Sequence, residues 1–198
     1  PWIAEKYNAD VVALTIDLGA QKDLADVRER ALKAGVAQAY VIDARETFIN
    51  EYVFPALQAG AIYEGEYPLA TALARPLIAR HLVEVALKEG AEAVAHGCTG
   101  KGNDQVRFDV AVAALAPHFE IIAPAREWGM SREEELEYAK RKGLNLTFKG
   151  ESLYSIDENL WGRSIEAGVL EDPWREPPGD AYAWTKPVSE TPDDPAYV

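Results

Sequence analysis

The chain has 198 residues, 48% of them hydrophobic, so it can bury a sizeable core and form one domain, or one domain and part of another. Twenty basic residues against 33 acidic ones give a formal net charge of −13, which disfavours nucleic acid and anionic membranes as partners. A single cysteine, Cys98, excludes an intrachain disulfide and a cysteine-based zinc site, and no apolar run approaches the roughly 20 residues of a membrane span, so we expect a cytoplasmic protein.

Buried strands alternate with amphipathic helices along most of the chain. In chain order, apolar runs and helical spacing first predict a strand at 11–16, a helix from Leu24 that Gly35 ends, a strand at 39–42 and a helix through Phe48, Tyr52 and Leu57. A long helix over 71–88 that Gly90 ends, a strand at 92–96 and a helix over 103–115 follow. The last predicted elements are a strand at 121–122, a helix from Ser131 to Gly143 and an apolar run at 144–148. Pro76 is expected near the first turns of the long helix, where a missing N–H costs least. Ser131 and Glu134 predict a capping box.

This alternation predicts an α/β fold, a parallel sheet with helices on both faces. In such sheets ligands bind where loops leave the carboxyl ends of the strands. Two loops stand at such ends, 17–20 and 97–102. After Gly150 the sequence becomes rich in proline, which indicates the irregular opening of a second domain.

The segment from His96 to Arg107 is the richest in groups that could carry chemistry. Its three glycines within 97–102 allow positive φ angles and a close approach to a ligand, and the predicted helix that follows presents unpaired N–H groups to an anion. Lys101 and Arg107 add positive charge to an acidic protein. The plain alternative is an ordinary strand-to-helix turn capped by Asn103 or Asp104. A P-loop is excluded because Asn103, not lysine, follows Gly102.

Three segments carry a resemblance to a known family: HGCTGKGNDQVRF (96–108), YEGEYPLATALARPLIA (63–79) and LEDPW (170–174). In their order and spacing they resemble the signature segments of the argininosuccinate synthases, and the resemblance extends over nearly the whole chain. It implies a nucleotide-binding domain of the N-type ATP pyrophosphatase, adenine nucleotide alpha hydrolase-like kind over 1–148. The beginning of an α+β synthetase domain is implied over 149–198.

The resemblance also implies an activity. In this family the ureido oxygen of L-citrulline attacks the α-phosphorus of ATP, which releases pyrophosphate and leaves a citrullyl-adenylate. The amine of L-aspartate then displaces AMP to give argininosuccinate, a step of arginine biosynthesis. Mg²⁺ accompanies the nucleotide, and the full-length enzymes are homotetramers. Such a site needs positioning and charge stabilisation more than an acid–base pair, so we assign no catalytic residue and no protein metal ligand.

The family's binding residues transfer onto matching positions of this sequence. The resemblance implies that ATP is bound by Ile16 and Gly97, aspartate by Thr99, Asn103 and Asp104, and citrulline by Tyr67, Asn103, Arg107, Ser155 and Ser164. Ala72 stands where some members carry a citrulline-binding serine, so that side-chain contact cannot be made here.

Each implied residue has a plainer interpretation. Ile16 could only pack in the core, Asn103 and Asp104 could only cap a helix, Arg107 could form a surface ion pair, and Tyr67 could only cover the core.

The sequence also suggests roles for four further residues outside the implied binding set. His96 is expected to be structural rather than catalytic, Cys98 has no activating partner, and Lys101 could clamp an anion or be a solvated loop lysine. Asp17 could approach the nucleotide or its metal, or could cap the next helix.

The pyrophosphate-binding loop of the family, SGGLDTS, does not occur in this sequence, and the chain begins Pro1-Trp2-Ile3. We therefore expect a fragment that lacks this loop and the C-terminal part and is inactive by itself. A noncatalytic nucleotide-binding α/β module is the alternative function. A tRNA-modifying pyrophosphatase is disfavoured by the charge of −13.

Overall fold

The computed structural model describes residues 1–20, 23–144 and 154–196. The chain divides into two compact units, one of Pro1–Thr147 with Glu158–Gly162 and one of Phe148–Asp157 with Arg163–Val198. In the described part of the chain, no helix is both long and apolar enough to cross a bilayer. The apolar run predicted at 144–148 lies, apart from its first residue, outside the described residues.

Helices and strands alternate as the sequence predicts. Their bounds are α1 (Trp2–Tyr7), β1 (Val12–Asp17), α2 (Leu24–Lys33), β2 (Gln38–Asp43), α3 (Arg45–Thr47), a π-helical stretch (Phe48–Val53), α4 (Phe54–Gln58), α5 (Ala70–Glu89), β3 (Ala93–Ala95), α6 (Asp104–Leu115), β4 (Glu120–Ile122), α7 (Pro124–Glu127), α8 (Arg132–Arg141), β5 (Ser155–Asn159) and β6 (Gly162–Glu166). Periodicity did not predict α1, α7, β5 or β6, and it predicted a helix through Phe48 but not its π-helical geometry.

The α/β class and the parallel pairing of the strands are confirmed. β1 pairs with β2 in parallel from Val12 opposite Gln38, and β3 pairs with β4 in parallel from Ala93 opposite Glu120. Within the described residues these strands form two separate two-stranded sheets. β1 to β4 are rich in Val, Ile and Ala, and most of their residues are buried or half-buried, with exposed residues only at the ends of β2 and β4.

Helix α5 belongs to both hydrophobic clusters of the first unit. Its N-terminal half, with Ala74 and Leu77, packs in a cluster with Ile16 of β1 and Phe48. Its C-terminal half packs with Val94 of β3 and with the α6 residues in a second cluster. Because the helix is apolar on most sides, as a buried helix must be, it supports both parallel strand pairs.

Two local predictions have different outcomes. The capping box is confirmed, since Ser131 Oγ accepts the Glu134 N–H at 3.3 Å and Glu134 Oε2 accepts the Ser131 N–H at 2.7 Å. The predicted helix start at 71 lies within one residue of Ala70, where α5 begins, but Pro76 is the seventh residue of α5 and lies inside it, so the expectation that its missing N–H costs little is wrong. The helix therefore lacks the N–H that would bond to the carbonyl of Ala72.

In the last part of the chain, β5 and β6 form a two-stranded sheet, and the two residues Leu160 and Trp161 connect them. Short 3₁₀ turns follow at Gly168–Glu171, Gly179–Ala181 and Val188–Glu190. Between these turns the described chain is irregular, as expected where prolines repeatedly remove N–H donors.

The double role of α5 predicts a large stability difference between two leucines on the same helix. Leu77 is 0% exposed and Leu87 is 57% exposed. We expect Leu77→Ala to lower the free energy of unfolding by about 2–5 kcal/mol, and Leu87→Ala by less than about 0.5 kcal/mol. Urea denaturation followed by circular dichroism measures both, and equal losses would contradict the packing described for α5.

Candidate functional site

The loop at 97–102 connects β3 to α6 and presents its backbone to solvent. Gly97 is exposed, and a Cβ built on it would meet no atom within 4 Å, so there is open space beside its backbone. Gly102 adopts φ +82°, which favours glycine. Gly97 and Gly100 do not adopt positive φ, so only Gly102 of the three uses that freedom.

His96 anchors the start of this loop. Its Nδ1 accepts the N–H of Cys98 at 3.2 Å, so its Nε2 carries the proton that is donated to Asp109 Oδ1 at 2.8 Å. The imidazole also stacks on Phe108, with ring centroids 5.4 Å apart. These contacts fit the structural role predicted for His96. Partial burial raises the pKa of the Cys98 thiol, in keeping with an unreactive cysteine.

Arg126 of α7 contacts two residues of α6, one of which bonds to the loop. Its Nη1 donates to Asp109 Oδ2 at 3.1 Å and to Gln105 Oε1 at 3.2 Å. Gln105 in turn donates from Nε2 to the carbonyl of Gly100 at 2.8 Å. Burial opposes ionisation of Asp109, but the bonds from His96 and Arg126 hold the pKa of this carboxyl below its ordinary value.

Asp104, at the start of α6, is held between two arginines. Arg75 of α5 donates to its Oδ2 from Nε at 2.9 Å and from Nη2 at 2.7 Å, and Arg107 Nη1 donates to its Oδ1 at 2.8 Å. Desolvation alone would raise the pKa of this half-buried carboxyl. The two guanidinium groups outweigh that effect and hold it below the ordinary value. Asp104 is the first residue of α6 and makes no side-chain capping bond, so its plainer interpretation as a helix cap is wrong, whereas Arg107 forms an ion pair, as its plainer interpretation proposed.

Thr99 and Asn103 lie in the same exposed turn. Thr99 Oγ1 donates to the carbonyl of Lys101 at 3.3 Å and accepts its N–H at 3.4 Å. Asn103 precedes the first residue of α6, but its side chain makes no capping hydrogen bond. Capping therefore does not account for this amide. The structure thus brings Thr99, Asn103, Asp104 and Arg107 together on one loop and helix start.

Tyr67 lies just before α5. Its hydroxyl accepts the N–H of Thr71 at 3.0 Å, and its backbone forms an antiparallel bridge with Tyr63 through bonds of 2.9 and 3.0 Å. Arg75, one of the partners of Asp104, lies on the same helix. The start of α5 and the start of α6 are thus joined through an ion pair.

The end of β1 carries Ile16 and Asp17. The side chain of Ile16 is 8% exposed and packs in the core, so only its backbone could meet a ligand. Asp17 Oδ1 accepts the N–H of Gly19 at 2.8 Å, and its Oδ2 lies 3.4 Å from Nε of Arg45. The N-cap of α2 is Asp23, so of the two alternatives for Asp17 the one in which it caps that helix is wrong.

Ser155 and Ser164 belong to the second compact unit, whereas the other predicted site residues belong to the first. Ser155 is exposed at the start of β5, and Ser164 is partly buried in β6. In the described residues, no group of three His, Cys, Asp or Glu side chains could hold a metal ion.

Sequence reasoning missed Arg126 and three further residues that hold the site. Arg75 lies 29 positions before its partner Asp104, and an arginine on a helix gives no signal of such a pairing. Asn159 and Trp161 bond to the start of α5, at the carbonyls of Ala70 and Pro68. The only cue to the latter pair was their position between Ser155 and Ser164, in the segment YSIDENLWGRS.

The pairing of Asp104 with two arginines predicts a pH-dependent loss of stability. Because the folded state holds its pKa below the ordinary 3.8, the ion pairs stabilise the fold at neutral pH and are lost as the pH falls through the folded-state value. We expect Asp104→Asn to lower the free energy of unfolding by about 1–3 kcal/mol near pH 7 and by less near pH 3. Urea denaturation at both pH values measures this.

The matched control for that experiment is Asp10→Asn, at an exposed position. It should leave stability nearly unchanged at both pH values, as is usual for surface substitutions. A loss for Asp104→Asn that is equal near pH 7 and near pH 3 would contradict the ionic contribution.

The fold agrees with comparisons to known proteins. Residues 1–145 match the family described as Arginosuccinate synthase N-terminal HUP domain, and residues 154–198 match the Arginosuccinate synthase C-terminal domain. The first match confirms the predicted adenine nucleotide alpha hydrolase-like class.

Three curated relatives are named argininosuccinate synthase. The one from Dehalococcoides mccartyi is 59% identical over 197 residues, covering 100% of this chain and 48% of the relative. Those from Gloeobacter violaceus (60% over 199 residues) and Oceanobacillus iheyensis (57% over 197) also cover 100% of this chain, and 50% and 47% of the relatives. The chain spans about half the length of the curated relatives it matches. It belongs to the argininosuccinate synthase family.

Proposed function

We propose that the protein is an ATP-dependent carbon–nitrogen ligase that joins L-citrulline and L-aspartate into argininosuccinate, with release of AMP and pyrophosphate, in arginine biosynthesis. The observation that carries this proposal is the Asp104 cluster. An ionised carboxylate, two guanidinium groups, an amide and a hydroxyl lie on or against one exposed loop and helix start. Such a set of groups suits amino-acid substrates, whose ammonium and carboxylate ends need opposite charges.

Aspartate is the substrate assigned to Thr99, Asn103 and Asp104. The exposed hydroxyl and amide can donate to a carboxylate, while the carboxylate of Asp104 can accept from the substrate ammonium. Arg75 and Arg107 favour its ionised form at neutral pH. This charge pattern supports the binding of a free amino acid in an acidic protein that would otherwise repel an anion.

Citrulline is assigned to Tyr67, Asn103, Arg107, Ser155 and Ser164. Arg107 bonds to Asp104 through Nη1, and since a guanidinium carries five N–H donors, it can still receive a carboxylate. Asn103 stands between the two substrates in this assignment. The ureido oxygen of citrulline would attack the α-phosphorus of ATP and expel pyrophosphate, and the aspartate amine would then displace AMP.

ATP is assigned to the backbone of Ile16 and to Gly97. Both lie at the carboxyl ends of parallel strands, and the open space beside Gly97 supports a close approach of the nucleotide there. Mg²⁺ would accompany the phosphates of ATP, as is usual for a nucleotide substrate. It would supply charge neutralisation at the phosphates.

The wider assignments are part of the same proposal. Residues 1–148 form the nucleotide-binding domain and 149–198 begin the synthetase domain, which is supported by the two family matches at 1–145 and 154–198. The native enzyme is a cytoplasmic homotetramer. Residues 1–198 by themselves are not expected to turn over, because the sequence contains no SGGLDTS segment.

The ligase assignment is tested by measuring pyrophosphate release from the protein as its gene encodes it. Residues 1–198 alone are assayed in the same way for comparison. Release should require ATP and citrulline together, and argininosuccinate should form only when aspartate is added. Binding of ATP without any dependence on citrulline would instead favour a noncatalytic nucleotide-binding module.

A substitution at Thr99 separates the two amino-acid substrates. We expect Thr99→Val to raise KM for aspartate about tenfold, the effect of losing a hydrogen bond to a charged group, and to leave KM for citrulline within about twofold. Thr99→Ser, which retains the hydroxyl, should restore binding, and Thr185→Val at an exposed position is the matched control. A rise in the citrulline KM alone would refute the assignment of Thr99.

A further inference from the structure

Leu69, the residue that precedes α5, adopts an unfavourable backbone conformation. Its φ of +62° and ψ of 29° lie in the left-handed region, which residues with a Cβ rarely enter. Such a conformation persists only where the surroundings hold it in place. The turn from Tyr67 to Thr71 therefore needs support from outside α5.

The support comes from residues 158–162, the hairpin tip, which belongs to the first compact unit. Trp161 Nε1 donates to the carbonyl of Pro68 at 2.6 Å, and Asn159 Nδ2 donates to the carbonyl of Ala70 at 2.9 Å. The carbonyls on both sides of Leu69 are thus held by the tip. The carbonyl of Leu69 itself accepts the helical N–H of Leu73 at 2.9 Å.

The hairpin tip is itself rigidly fixed. Asn159 is 8% exposed, and its Oδ1 accepts the N–H groups of Trp161 at 2.8 Å and Gly162 at 3.2 Å. The N–H of Leu160 donates to the carbonyl of Leu18, after β1, at 2.8 Å. A Cβ on Gly162 would lie 3.2 Å from the Cβ of Ala70, so the tip packs closely on α5.

The hydroxyl of Tyr67 depends on this turn. It accepts the N–H of Thr71, one of the first-turn donors of α5 that have no helical acceptor. If the peptides between Pro68 and Ala70 rotate, Thr71 moves relative to Tyr67 and the phenol loses its fixed position.

We propose that Asn159 and Trp161 are positioning residues for Tyr67, and that they act by holding Leu69 in its left-handed conformation. The inference rests on the proposed function in one respect, the assignment of Tyr67 to citrulline. The tip does not contact Thr99 or Asp104 in any hydrogen bond of the described residues. Because the bonds of the tip go to the Tyr67 turn itself, we expect the effect on substrate binding to be largest for citrulline.

Trp161→Phe tests the proposal because it removes the Nε1 donor and keeps an aromatic ring. In the protein as its gene encodes it, KM for citrulline should rise about fivefold, the effect of losing one neutral hydrogen bond, with kcat and the KM values for ATP and aspartate within about twofold. Hydrogen exchange should quicken at the amide of Thr71. Trp174→Phe is the matched control, since that tryptophan is 95% exposed.

Asn159→Asp is the second variant, because it retains Oδ1 as the acceptor of the turn and replaces the donor to Ala70 with an oxygen. It should raise the citrulline KM and the exchange rate at Thr71 in the same direction as Trp161→Phe. Two variants with different chemistry keep the test decisive if one of them folds poorly.

Faster exchange at Thr71 together with a higher citrulline KM supports the proposal. Unchanged exchange overturns the role of the tip, and faster exchange with an unchanged citrulline KM overturns the positioning of Tyr67. An equal rise in all three KM values, as a merely structural defect would give, also overturns it. If the unaltered protein has no citrulline-dependent turnover, the proposed function fails, and the exchange measurement alone still decides whether the tip holds Leu69.

Discussion

The burial of α5 is the constraint on which the site depends. This helix packs in one cluster with β1 and in the other with β3 and α6, so neither strand pair can shift without disturbing it. Its first residue follows the Tyr67 turn, and Arg75, farther along it, reaches Asp104. A rigid apolar helix thereby fixes the separation between two polar segments, which loops alone could not do as accurately.

The local balance of charge differs from that of the whole chain. The protein carries a net charge of −13, yet three arginines surround the 97–102 loop and its helix: Arg75, Arg107 and Arg126. Each is paired with Asp104 or Asp109, so these five side chains together carry about one positive charge, and their geometry is fixed by hydrogen bonds with definite directions. Removing one partner would leave an unbalanced, partly buried charge, which costs more than the pair contributes.

The strands and most helices could be predicted from the sequence because their signals are local. The apolar run 11–16 became Val12–Asp17, and the capping box at Ser131 needs only residues three apart. Pro76 lies past the first turn of α5 although the predicted start at 71 is within one residue of the observed start at Ala70, so the burial of this helix outweighs the hydrogen bond lost at the proline. The π-helical stretch Phe48–Val53 could not be predicted from local propensity, because it depends on the packing of Phe48 and Val53 in the cluster with α5.

The candidate site was predictable in part for the same reason. Thr99, Asn103, Asp104 and Arg107 lie within nine residues and needed only a loop and a helix start to come together. Arg75, Asn159 and Trp161 reach the site by contacts over 29 to 93 positions. Hydrogen bonds between residues so far apart in the chain depend on tertiary packing, and a single sequence contains no local pattern that predicts them.

Gly19 and Leu160 form a steric pair with an evolutionary consequence. A Cβ on Gly19 would lie 2.4 Å from Cγ of Leu160, and the glycine also adopts φ +97°. Either position limits what the other can become, because a side chain at 19 requires both a new backbone angle and a smaller residue at 160. Substitutions at the two positions should therefore co-vary among related sequences, although 141 positions separate them along the chain.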